Sequence, residues 1–229
     1  MMVSLLKKIF QIFIAIAIFS PGVLYSDNHN GLKTLEFKVF GKKGQSIQKM
    51  TINRIKTETF VRYVDSLGES SENIFSDEWK PLQIKYFDIQ NREYLWIKFD
   101  YQNRRIISKG RIKKNYDLEE PVYDGNGSIF YVFSKILPPK DKTITFHVFQ
   151  AKEKRIVKMY MKYLNQENIY IGGKMVQANV YETGLINGFL KFFWPYKYHY
   201  WFSVETSELL RYEGPVGHES SEIIEKEIL

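Results

Sequence analysis

Chemistry by a protein needs nucleophiles, bases or metal ligands brought together, and this chain offers few at telling spacings. It contains no cysteine, which removes disulfides, thiolate metal ligands, a cysteine nucleophile and a lipid-modified N-terminal cysteine together. The four histidines, His29, His147, His199 and His218, stand apart, none with a partner at metal-ligand spacing; His147 and His199 read as ordinary strand-face residues. Asp124-Gly125-Asn126-Gly127 opens like a calcium loop, but acids are few and the twelfth position is Lys135 instead of Glu, so a helix cap explains it better. Gly172-Gly173-Lys174 lacks the upstream glycine and the following Ser or Thr of a phosphate loop and reads as a hairpin turn. Neither G-x-S-x-G nor H-E-x-x-H occurs. Asp77/Glu78 and Glu119/Glu120 are adjacent acids in expected turns, where solvated charge is the simple reading; a glycosidase pair faces its partner across a cleft. The chain is therefore expected not to be an enzyme and to carry no cofactor and no metal.

Binding is better supported, because aromatic residues make up 16% of the chain. They concentrate in Phe189, Phe192, Phe193, Trp194, Tyr196, Tyr198 and Tyr200, with Leu190 among them. Such rings commonly pack a sheet core. Alternatively they line an apolar cavity that holds an acyl chain, with Phe192, Trp194, Tyr196, Tyr198, Tyr200 and Phe202 as the ligand-binding candidates. A third arrangement has Phe189 to Trp194 protruding as an apolar loop onto a membrane. Basic clusters at Lys42-Lys43, Arg104-Arg105, Arg111 to Lys114 and Lys152 to Arg155 are interleaved with strands. They read as solvated edges that discourage sheet-to-sheet pairing, with attraction to anionic lipid head groups the sharper alternative. Nucleic acid is not an expected partner.

The elements that must position these side chains are mostly strands. From Tyr196 to Val204, Tyr196, Tyr198, Tyr200, Phe202 and Val204 alternate with Lys197, His199, Trp201, Ser203 and Glu205, so a period of two makes one face aromatic and the other mixed. Glu205 to Glu208 turns the chain, and Leu209 to Gly214 returns it. Earlier, alternation predicts strands over Thr34 to Phe40, Ile47 to Thr57, Glu58 to Asp65 and Glu93 to Tyr101, with returns at Pro81 to Tyr86 and Arg105 to Lys113. Pro81 must stand at a strand start or edge, because it has no N–H to donate. Further strands are expected over Thr143 to Gln150, Ile156 to Leu164 and Lys174 to Thr183, with turns around Asn165 to Asn168 and at Gly172-Gly173. Ile129, Val132, Phe133, Ile136 and Leu137 sit at helical spacing, Asp124 to Ser128 offers a cap, and Pro138-Pro139 ends the segment. The tail from Glu219 either closes the sheet as a last strand or frays as a helix. The predicted fold is mainly β, an antiparallel sheet with one short helix packed on it.

Val3 to Ser26 has the layout of a secretory signal: Lys7 and Lys8, an apolar run from Ile9 to Phe19, then Pro21-Gly22. Residues 1–26 are read as a signal peptide and 32–229 as a single β-rich domain; an uncleaved N-terminal membrane anchor is the alternative. Losing Lys7 and Lys8 takes the formal charge from +7 to +5.

Four segments in order carry a resemblance: Trp79-Lys80-Pro81-Leu82 leading to Ile84-Lys85-Tyr86; Trp96 to Asp100; Asp124 to Tyr131; and Trp201 to Glu205 followed by Leu209 to Tyr212. Behind a signal peptide, the chain resembles the exported bacterial family catalogued as domain of unknown function 3108, over roughly Leu32 to Ile224. The resemblance implies a curved, half-open antiparallel barrel with a helix inside, a plan shared with carriers of the outer-membrane lipoprotein-sorting pathway. That family has no agreed catalytic residues, so none carries over. The expectation is a periplasmic protein that binds a lipid or another hydrophobic or amphipathic envelope component non-covalently, with peripheral membrane contact open. The alternative is an interaction module docking on another envelope protein, and a hydrolase comes third.

Overall fold

The computed structural model describes residues 31–41, 44–65, 67–110, 118, 120–151, 155–186, 197–216 and 220–226. The proposed signal segment therefore lies outside the described residues.

The first half is a meander of seven strands: β1 (Leu32–Gly41), β2 (Gly44–Ile55), β3 (Glu58–Val64), β4 (Ser70–Phe75), β5 (Pro81–Phe87), β6 (Glu93–Asp100) and β7 (Arg105–Gly110). Alternation drives these pairings. In β6, Leu95, Ile97 and Phe99 are buried while Tyr94 and Lys98 are exposed, as the period of two requires. Pro81 opens β5 beside a bulge at Ile74/Phe75, where a missing N–H costs no ladder bond. Ser70 and Ser71 belong to β4, and Ser71 and Asn73 turn polar side chains inward to a buried partner described below.

The chain then makes β8 (Val122–Asp124), the helix α1 (Ser128–Ile136), β9 (Thr143–Gln150), β10 (Arg155–Ile171), β11 (Lys174–Leu185), β12 (Tyr198–Ser203), β13 (Leu209–Val216) and β14 (Ser220–Lys226). All described pairings are antiparallel except β8 with β9. Residues 165–168 do not turn, contrary to expectation: they continue β10 past a bulge between Tyr163 and Asn165 and pair with Gln177 to Val180. A bulge absorbs one extra residue without ending a strand, and only Gly172-Gly173, both at positive φ, reverse the chain. The tail is a strand, because β14 fits between β13 and β1.

Insertion of β14 joins both meanders into one sheet ordered β7-β6-β5-β4-β3-β2-β1-β14-β13-β12-β11-β10-β9-β8. The sheet curls until its two ends meet through side chains. Ile84, Tyr86, Leu95, Ile97, Phe99 and Ile106 from β5 to β7 pack with Leu118, Val122 and Phe149 from the other end, whereas no described pairing joins β7 to β8. A curled sheet closed by packing instead of by a ladder is a half-open barrel. The helix α1 lies inside it, with Ile129, Phe130, Val132 and Phe133 in the central core among Phe37, Met50, Phe146, Met161, Tyr200 and Phe202. Gly127 sets how closely α1 can approach, because a Cβ there would stand 2.0 Å from the Tyr63 ring.

Candidate functional site

Of the six ring candidates, Tyr198, Tyr200 and Phe202 lie on β12 and face the barrel interior; Phe192, Trp194 and Tyr196 lie outside the described residues. Tyr200 meets Phe130 and Phe133 of α1 at ring distances of 6.1 and 5.2 Å and Tyr212 of β13 at 5.1 Å. Phe202 stacks on Tyr200 at 6.3 Å and meets Tyr181 at 5.9 Å. Both are buried, and burial pushes the Tyr200 hydroxyl well above the ordinary tyrosine range. Tyr198 stays half-buried, stacked on Tyr212 at 6.2 Å. Tyr200 and Phe202 thus pack the core against α1, and Tyr198 borders it. Val204, assigned to the same face by alternation, instead sits in the turn after β12 and is exposed.

The ring wall emerges where α1 ends. Tyr131 of α1 meets Trp79, from the β4–β5 turn, edge-on at 5.6 Å. The Lys135 ammonium lies 5.2 Å from the Tyr131 ring and 5.8 Å from that of Trp79. Trp79 holds φ at 60°, a left-handed conformation uncommon for a bulky residue and costing about 1–2 kcal/mol. Trp79 N–H donates to the Ser76 carbonyl at 3.0 Å, and Ser76 N–H to the Lys80 carbonyl at 3.0 Å, which locks the turn. Lys33 pairs with Glu208, and Arg54 with Asp77 at 3.3 Å. Burial raises the Tyr131 hydroxyl, Lys33 and Arg54 pull it back, and Glu208 adds to the rise, so all three charges reach that hydroxyl.

A second polar centre is Asp124, at the end of β8 and buried. Its carboxylate accepts hydrogen bonds from Tyr86 (2.6 Å), Ser71 (2.8 Å), Asn73 (3.1 Å), Ser128 (3.0 Å) and the Asn126 N–H (3.0 Å). The cap of α1 falls within Asp124 to Ser128 as expected, but the cap residue is Gly127 and no side chain bonds there. Asp124 comes too early in the chain, so its carboxylate turns to β4 and β5. The hub is structural, tying the helix start to the opposite wall.

On the outer face, Glu182 of β11 is buried and gathers the Tyr160 hydroxyl (2.8 Å), Lys162 (3.1 Å), Lys197 (2.9 Å) and His199 (3.8 Å). Burial opposes its ionisation, but hydrogen bonds from Lys197, Tyr160 and Lys162 prevail and hold its carboxyl at about 2. Nearby, Trp201 is buried with Ile169, Ile171, Ala178, Val180 and Leu210 and donates to Glu167 at 2.6 Å. His147 faces Glu120 at 3.1 Å. Among the described residues, no group of three or more His, Asp or Glu side chains is placed to hold a metal, and no helix is long and apolar enough to cross a membrane. An open groove of about 430 Å³ on the outer face of β1 to β5 has Leu32, Ile55, Phe60 and Ile74 in its lining. Its charged rim is already paired, Arg62 with Glu72 at 3.0 Å and Lys85 with Glu93 at 3.4 Å.

Sequence reasoning missed the Trp79, Tyr131 and Lys135 corner and both carboxylate centres. One signal was available for Glu182, a lone charge in phase with Ala178 and Val180.

No protein-family model matches the chain, and no curated protein matches it in sequence. Among solved structures, it is similar to a β-barrel-like protein of domain of unknown function DUF1849 from Brucella abortus, with 12% identity over 84% of this chain and 94% of that one and a TM-score of 0.53. The hypothetical lipoprotein YmcC from Escherichia coli aligns at 8% identity over 84% of this chain and 85% of that one, with a TM-score of 0.38. At such identity the likeness is one of fold, and the Brucella protein places this chain with β-barrel-like proteins.

Proposed function

We propose that this chain is an exported protein of the bacterial cell envelope that works by binding, not by catalysis, and holds a hydrophobic or amphipathic molecule non-covalently in its half-open barrel. Membership of the domain of unknown function 3108 family belongs to the same proposal. The supporting observation is an interior wall that is aromatic and apolar yet only partly covered by α1: Leu35, Trp79, Met159, Tyr163 and Tyr198 remain half-buried around the sealed core, as does Tyr131 of α1 itself. Barrel interiors of this kind take apolar ligands with little polar guidance, and a wall closed by packing instead of by a ladder can part to admit one. Native mass spectrometry with lipid extraction, on the chain purified after export, tests this. Lipid or another apolar molecule at defined stoichiometry is the expected result; an empty chain that takes up no fatty-acid probe overturns it.

A specific observation favours the second reading, a docking module. The β10–β11 hairpin runs beyond its neighbours, since pairing with β9 ends at Lys162 and pairing with β12 ends at Ala178. Its tip shows Tyr170 and Met175, a cross-strand pair 69% and 66% exposed. An empty barrel would move the function to this arm.

A further inference from the structure

We infer that the corner formed by Trp79, Tyr131 and Lys135 seats the head group of the bound molecule, and that this molecule is an anionic amphiphile carrying a single carboxylate or phosphate. The inference rests on the binding function proposed above and adds the ligand's charge and orientation.

Three observations converge on the corner. The first is a charge imbalance. Lys33 and Arg54 act on the Tyr131 hydroxyl and Lys135 lies against its ring; Glu208 pairs with Lys33, Asp77 with Arg54, and Glu78 of the Trp79 turn with Lys80. Lys135 has no carboxylate partner among the described residues; its ammonium lies against two ring faces instead. Rings attract a cation weakly at an exposed site, so an anion of the ligand can draw the ammonium outward and leave both rings to the ligand's first methylenes.

The second observation is the conformation of Trp79. Glycine or asparagine would fill a turn position at φ 60° without strain. A tryptophan there is maintained against a backbone cost, and its effect is to hold an indole over the last turns of α1. Strain of this sort gathers where a side chain's position matters more than local stability.

The third is continuity with the interior. Leu35, Ile136 and Leu137, like Tyr131 and Trp79, are half-buried against the one central core, so an apolar tail starting at the corner has an apolar surface to follow. Head group at the corner and tail toward the core is the orientation in which the charge stays near water and the chain leaves it.

The test compares four probes with one tail: a fluorescent fatty acid, its methyl ester, the corresponding lysophosphate and a quaternary ammonium analogue. Each is titrated into the purified chain and into the Lys135→Met and Trp79→Gly variants. Lys135→Met keeps an apolar stem on an exposed position, and Trp79→Gly relieves the turn, so both are expected to fold, with thermal denaturation as the check. The wild-type chain should bind the two anions about tenfold more tightly than the ester or the cation, the range of one charge-assisted contact. Added salt should shrink that preference. Lys135→Met should erase the preference for the anions over the ester, and Trp79→Gly should weaken all four probes. The stronger of the two anions identifies the head group as carboxylate or phosphate. Equal binding of all four probes to the wild type, or an undiminished anion preference in Lys135→Met, overturns the head-group inference and leaves the binding function standing. Failure of every probe, the ester included, overturns the binding function itself.

Discussion

Tyr86 on β5 donates its hydroxyl hydrogen to Asp124 on β8 at 2.6 Å, a bond between opposite ends of the fourteen-strand sheet. Burial, with Asp124 beside it, holds that hydroxyl well above the ordinary tyrosine range, so it remains a donor. Asp124→Ala strips the acceptor from Tyr86, Ser71, Asn73 and Ser128 at once. Leaving buried donors unpaired costs about 1–3 kcal/mol each when nothing relaxes, and a total loss of about 3 kcal/mol or more is expected. Urea denaturation should show the midpoint falling, and Asp124→Asn, which keeps one acceptor oxygen, should fall less.

Gly127 is required for its lack of a side chain and not for backbone freedom. A Cβ there would lie 2.0 Å from the ring of buried Tyr63, whose hydroxyl is anchored to Gln48. Gly127→Ala should destabilise by about 2–3 kcal/mol, as overpacking does. Pairing it with Tyr63→Leu, which removes the clashing atoms, should recover part of the loss; strict additivity in the double mutant would contradict the clash.

The outer-face carboxylate makes stability depend on acid. Glu182 sits at about 2 in the folded chain against an ordinary 4.5, so its contribution is present above pH 4.5 and fades as pH falls toward 2. Denaturation midpoints measured across that window should fall more steeply for the wild type than for Glu182→Gln, which has no proton to gain. Parallel curves would contradict the assignment.

Alkali acts through one buried and one half-buried tyrosine. Burial raises both Tyr123 and Tyr160 from 10.0 to about 12, with a hydrogen bond to Glu182 adding to the shift of Tyr160. A hydroxyl whose folded value is raised contributes stability that is complete below pH 10 and is lost as pH climbs through about 12. Tyrosinate absorbance should therefore lag in the folded chain and jump on unfolding. Tyr160→Phe should remove one late-titrating group, and an unchanged titration would exclude this assignment.

Trp201 ties β12 to the long β10 strand by donating to Glu167 at 2.6 Å. Trp201→Phe keeps a ring in the outer cluster but loses the bond to a charged acceptor, worth about 1.5–3 kcal/mol. Thermal denaturation should report a lower midpoint, and hydrogen exchange should rise first in residues 164–171.

The sequence by itself determined the strands and their inward faces, because a period of two in residues such as Leu95, Ile97 and Phe99 is a local property that survives in any antiparallel sheet. It also determined where α1 stops, at Pro138-Pro139, and that Pro81 starts a strand. Only the tertiary structure decided that Asn165 to Asn168 extend β10, since a bulge is stabilised by the partner strand and leaves no local mark. The same holds for β14, whose place depends on a gap between β1 and β13: Lys226 pairs with Phe37 and Glu225 with Arg211, and Phe37 and Arg211 stand 174 positions apart in the chain. The ring face of β12 was legible; that α1 would cover Tyr200 and Phe202 was not, because the covering side chains, Phe130 and Phe133, lie some seventy positions earlier. Likewise the Trp79, Tyr131 and Lys135 corner exists only where a turn and a helix end are brought together by curling the sheet. Local periodicity encodes which way a side chain points, and only long-range closure settles what it meets.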